Sequence, residues 1–100
     1  MDMNKMMKQA RKMQKDMEAA QQEVAAMSRT YTAGGVVTVT ATGENQIAEV
    51  KIDPSAVDPD DVEGLEDLVQ TAVNGALEDV QKAAQERLSS VTGGLSLPGM

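Results

Sequence analysis

The N-terminal stretch repeats an apolar residue at alternating steps of three and four. Met3, Met6, Ala10, Met13, Met17, Ala20, Val24 and Met27 take the a and d positions of about four heptads. A strand repeats every two residues, so this period demands an amphipathic helix with a seam for another helix. On the same wheel Lys5, Lys8, Arg11, Lys12 and Lys15 fall at b, c and f, turned away from the seam. One face requires a helical partner, and the other offers cations to water or to a polyanion.

The rest of the chain has little with which to build a core. It is 100 residues long and 41% hydrophobic, with no Phe or Trp and Tyr31 as the lone aromatic. Burial rests on Ala, Val and Met, so an isolated subunit is expected to be marginal. Sharing one interior between two subunits is the expected remedy, which predicts an obligate homodimer. Cys and His are both absent. Disulfides, thiolate nucleophiles, the usual zinc sites and the commonest general base are therefore excluded. No stretch is apolar for long enough to span a membrane, and the N-terminus lacks a signal-peptide core. The expectation is a cytoplasmic protein with no membrane partner.

The formal charge of −7 is unevenly distributed. Residues 1–15 hold five cations against Asp2 alone, whereas residues 44–79 hold eleven acids against Lys51 alone. The local field at the first helix is positive even though the whole chain is acidic.

That helix is expected to run from about Met3 to Ser28, roughly 39 Å at the usual rise. The period then changes from helical to alternating. Arg29 to Thr32 offers a short strand, Ala33-Gly34-Gly35 a turn, and Val36 to Thr42 a β-branched strand with Val37, Val39 and Ala41 on one face. Gly43-Glu44-Asn45 is a second turn. Gln46 to Ile52 gives another strand, with Ala48, Val50 and Ile52 on one face. Two or three antiparallel strands follow, apolar on one side and polar on the other.

Asp58 is expected to cap the second helix, with Pro59 at its first position and Asp60, Asp61 and Glu63 at its positive end. Val62, Leu65, Val69, Ala72, Val73, Ala76, Val80 and Ala83 keep helical spacing, and Gly93-Gly94 marks the stop. The stripe keeps phase across Asn74-Gly75, which predicts an unbroken helix with a small-residue spot. The fold class is thus α+β: a long helix, two or three antiparallel strands, and a long helix. Residues 1–92 form the single domain, and 93–100 are expected to be a flexible tail. If the two seams pack together the helices run antiparallel and their free ends coincide. Lys82 and Arg87 then join Lys5 to Lys15 at the tip of a basic arm, with the acids near the sheet.

Other chemistry is poorly supported. The acids Asp53, Asp58, Asp60, Asp61, Glu63, Glu66 and Asp67 fail the calcium-loop pattern, since Val62 stands at position five and Glu63 at the obligatory glycine. Helix capping accounts for most of them, and no metal site is expected. The paired glycines lack the downstream Lys-Ser/Thr of a phosphate loop. No enzyme activity, cofactor or small-molecule substrate is expected.

Several segments together resemble the YbaB/EbfC family of small bacterial nucleoid-associated proteins. They are Met6-Met7-Lys8-Gln9-Ala10 with Met13-Gln14, and Val50-Lys51-Ile52-Asp53-Pro54-Ser55. Leu65-Glu66-Asp67-Leu68-Val69 with Ala72, Asn74 and Ala76, and Thr92-Gly93-Gly94-Leu95 with Pro98-Gly99, complete the set. The resemblance implies an intertwined homodimer with projecting helical arms, placed in the nucleoid and binding DNA without catalysis. It transfers no residue signature for the DNA contact. The charge pattern names Lys5, Lys8, Arg11, Lys12 and Lys15, assisted by Lys82 and Arg87, as phosphate contacts. With no aromatic platform for unstacked bases, double-stranded DNA is the expected partner. Helix packing and dimerisation are assigned to Met6, Met13, Met17, Val24, Val37, Val39, Val50, Leu65, Val69 and Ala76. The competing reading is a homodimeric protein-interaction module whose lysines only solubilise it.

Overall fold

The first helix begins where a side chain can satisfy its free amides. In the computed structural model, which describes residues 2–92, α1 spans Met3–Ala25, and the amide of Asn4 donates to Asp2 Oδ1 at 3.0 Å. The helix ends three residues before the expected Ser28, because Ser28 is already paired with Thr42 in the sheet. The closing contact is tight. Gly43 N–H donates to the Met27 carbonyl at 2.9 Å, and a Cβ on Gly43 would stand 1.6 Å from the Val24 carbonyl oxygen. Only glycine fits there.

Three strands follow as an antiparallel meander in the order β1-β2-β3: β1 (Ser28–Ala33), β2 (Val37–Thr42) and β3 (Ile47–Ile52). Alternation sets the faces as expected for β2, where Val37, Val39 and Ala41 are fully buried. Tyr31 lies opposite Val39 and Ala33 opposite Val37, so β1 adds to the same face. The reverse face is a threonine array in which Thr30 and Thr40 share a hydroxyl hydrogen bond at 2.9 Å, and Thr32 and Thr38 one at 3.0 Å.

In β3 the register differs from the simple alternation. A bulge next to Ala41 pairs that residue with Ile47 and leaves Ala48 as the extra residue. The apolar face therefore carries Ile47, Val50 and Ile52, not Ala48 with the last two.

The second helix, α2 (Val62–Thr92), starts one turn later than Asp58-Pro59 predicts. Asp58 instead closes a turn of its own, accepting from Asp60 N at 2.9 Å, while Asp61 accepts from Gly64 N at 3.1 Å and caps the helix. Asp53 does the same for a one-turn 3-10 helix (Pro54–Ala56), accepting from Ser55 N at 2.9 Å. α2 runs unbroken through Asn74-Gly75. The expected stop at Gly93-Gly94 and the tail 93–100 lie outside the described residues.

α2 packs over β1 and β2, and the core is Ala33, Val37, Val39, Ala41, Ala72, Ala76 and Val80. Leu65 and Val69 pack against it, partly buried. Among the described residues only Val37, Val39 and Val80 are large and fully buried, which makes a thin core. The molecule is long, 72 × 28 × 15 Å.

Candidate nucleic-acid interface

Two helices of unequal reach build the candidate surface. The α1 seam packs against α2 chiefly from Met13 onward, where Ala20 is buried and Met13, Met17 and Val24 are half-buried. Val91 of α2 shares an open groove with Met6, Ala10 and Met13. Toward the N-terminus of α1, Met3, Met6 and Met7 are 74%, 52% and 49% exposed.

Lys5, Lys8, Arg11, Lys12 and Lys15 are all exposed on the first turns of α1, with Lys12 bordering the groove beside Val91. Among the described residues the ion pairs are Lys51–Glu49 and Arg87–Glu23, so none of the five arm cations is spent on a carboxylate. From Lys5 to Lys15 the stripe covers about 15 Å of helix axis. That length matches about four phosphates along one strand of a duplex.

Lys82 and Arg87 are not at the tip, contrary to the expected clustering of free ends. Gln81, next to Lys82, donates to the side chain of Asn45 in the β2–β3 turn at 3.3 Å, which puts Lys82 beside the sheet. Arg87 lies opposite Glu23, about 12 Å along α1 from Lys15. The reason is steric: the sheet occupies the first half of α2, so only its last turns remain to pair with α1.

Arg87 is also engaged. Its Nε donates to Glu23 Oε2, its Nη2 to Glu23 Oε1 at 3.3 Å, and its Nη1 to Ser90 Oγ at 2.8 Å. The hydrogen bond from Arg87 holds the Glu23 carboxyl below the usual glutamate range, and Glu23 in turn raises Arg87 further. Nothing in the sequence marks Glu23 as the partner, since the two residues are far apart along the chain.

The acids behave as caps. Asp53, Asp58 and Asp61 each hold a backbone amide, and Asp53 is lowered chiefly by its bond from the Ser55 backbone. Among the described residues no group of three or more His, Cys, Asp and Glu side chains is placed to hold a metal ion.

Comparison with known proteins decides the family. The model of the YbaB/EbfC DNA-binding family matches residues 1–95. The chain belongs to that family. A nucleoid-associated protein of Ruminiclostridium cellulolyticum is 50% identical over 101 residues, covering 99% of this chain and 88% of the relative. A nucleoid-associated protein of Desulforamulus reducens is also 50% identical, over 99% of this chain and 95% of its own length. The crystal structure of an uncharacterized protein from Helicobacter pylori shares the fold, with a TM-score of 0.67 at 21% identity over 86% of this chain and 91% of that one. YbaB/EbfC membership agrees with the helix, three antiparallel strands and helix seen here. Among the described residues no helix is long and apolar enough to cross a membrane.

Proposed function

We propose that this YbaB/EbfC protein is a non-enzymatic, nucleoid-associated protein of the cytoplasm that grips duplex DNA through its α1 arms. The observation that carries the reading is the stripe Lys5, Lys8, Arg11, Lys12 and Lys15, exposed on α1 and, among the described residues, without a carboxylate partner. Such cations neutralise phosphates and release counterions without reading bases, so binding is largely independent of sequence. Lys82, nearer the sheet, and Arg87, shared with Glu23, assist from the base of the arm.

The working unit in this proposal is a homodimer. Ile47, Val50 and Ile52 form an apolar strip on the helix-facing side of β3 and remain 39%, 47% and 39% exposed, because α2 covers only β1 and β2. A second copy that covers this strip supplies the interior a single subunit lacks. Two arms then engage one duplex and change its path, which is how such a protein alters nucleoid organisation and gene expression.

The test is duplex binding by the native protein and by a Lys8→Glu, Lys12→Glu double variant, both checked for the same oligomeric state. The double variant is expected to lose at least tenfold in affinity, since it reverses two of the phosphate-facing charges. Equal affinity would favour a protein-interaction module with merely solubilising lysines.

A further inference from the structure

The seam between α1 and α2 is built from side chains that specify position weakly. On α1 it offers Ala10, Met13, Met17 and Ala20, and on α2 the last turns meet it, with Val91 beside Ala10 and Met13. Alanine makes shallow knobs, and methionine repacks readily against a shifted neighbour. A heptad seam of this kind tolerates slippage and splaying unless a polar contact picks one arrangement.

A polar contact with directional geometry crosses the seam. Among the described residues Arg87–Glu23 is the one ion pair that joins the two helices. The guanidinium meets both carboxylate oxygens through separate nitrogens, and its third nitrogen donates to Ser90 Oγ. Ser90 Oγ itself donates to the Arg87 carbonyl at 2.6 Å, so the fork is braced from its own helix. The pair lies between the Gly43–Met27 anchor at the sheet and the free segment that carries Lys5 to Lys15.

We infer that Glu23 and Arg87 are a positioning pair that fixes the register and angle of the basic arm on α2, and so the placement of the arm lysines against a duplex. The inference rests on the DNA-binding reading above. It gives Glu23 a role opposite to the one charge alone assigns. Removing an acid from the base of a basic arm adds to the positive field and frees Arg87 for phosphate. By charge, Glu23→Gln binds DNA more tightly. By positioning, it binds more weakly, because fewer molecules hold the arm in the competent arrangement.

The experiment uses the full chain with cysteines introduced at Gln14 and Gln85. These are the sole thiols for spin labels, since the native sequence has no Cys. Labelled protein is diluted into unlabelled protein so that distances within one subunit dominate. Native protein is expected to give a narrow distance distribution, and Glu23→Gln a broad one. On a random-sequence duplex Glu23→Gln is expected to lose roughly twofold to fivefold in affinity, the range an exposed ion pair can supply. Glu18→Gln, an exposed acid on the same helix outside the pair, controls for charge and is expected to keep the narrow distribution with unchanged or tighter binding. A native-like distribution for Glu23→Gln, or tighter DNA binding by it than by native protein, overturns the inference. Native protein that binds no duplex overturns the DNA reading instead, while the label distances still decide whether the pair holds the arm.

Discussion

At the scale of single residues, the most informative contact is between Tyr31 and Gly75. A Cβ on Gly75 would lie 2.5 Å from Tyr31 Cγ, so the ring rests directly on the α2 backbone. Gly75→Ala gains up to about 1 kcal/mol in helix propensity but overpacks the ring at a cost of about 1–3 kcal/mol. The expected net effect is a lower melting temperature in the native background and a higher one when Tyr31→Ala is also present, read by thermal denaturation. The sequence shows the small residues at Asn74-Gly75, but only the β1 register shows what they admit. The Glu23 carboxyl, held down by its hydrogen bond from Arg87, titrates below the ordinary glutamate range. A depressed folded-state value means that the pair is intact above that range and is lost as pH falls through it. With no His or Cys in the chain, the spin-label distance should be flat from about pH 6 to 8 and broaden only in acid. Broadening near neutrality would contradict this assignment.

At the scale of elements, periodicity carried most of the information. A step of three and four gives α1, alternation gives β2, and a phase-keeping stripe gives an unbroken α2. The boundaries were less legible because capping residues compete. Asp53, Asp58 and Asp61 are chemically equivalent candidates, and the choice falls to Asp61 only once the turn at Asp58 is closed. Asp61→Ala is therefore expected to cost about 1 kcal/mol of stability, with Asp58→Ala costing less, measured by urea unfolding. The reverse ranking would put the cap where the sequence alone placed it. The β3 bulge left no mark in the alternation, since Ile47 and Ala48 are both apolar. Its effect is to turn Ile47 to the same side as Val50 and Ile52, widening the uncovered strip.

At the scale of the molecule, the segregation of charge was legible and its detail was not. The five arm cations and the acids near the sheet follow from chain order. The place of Arg87 does not, because it depends on how much of α2 the sheet occupies. If a second subunit covers β3, Val50→Glu is expected to abolish the dimer in sedimentation and to lower the urea midpoint with it, since Val50 is 47% exposed in one subunit. Unchanged dimer would move the interface elsewhere. The arm cations of this acidic protein are proposed to hold duplex DNA through its phosphates, a mode of binding with a marked salt dependence. Its most direct test is the affinity of the native protein for a random-sequence duplex across a series of salt concentrations. Neutralising about four to six phosphates predicts a slope of about −4 to −5 in log affinity against log salt. A slope near zero, or no binding at the lowest salt, would contradict it.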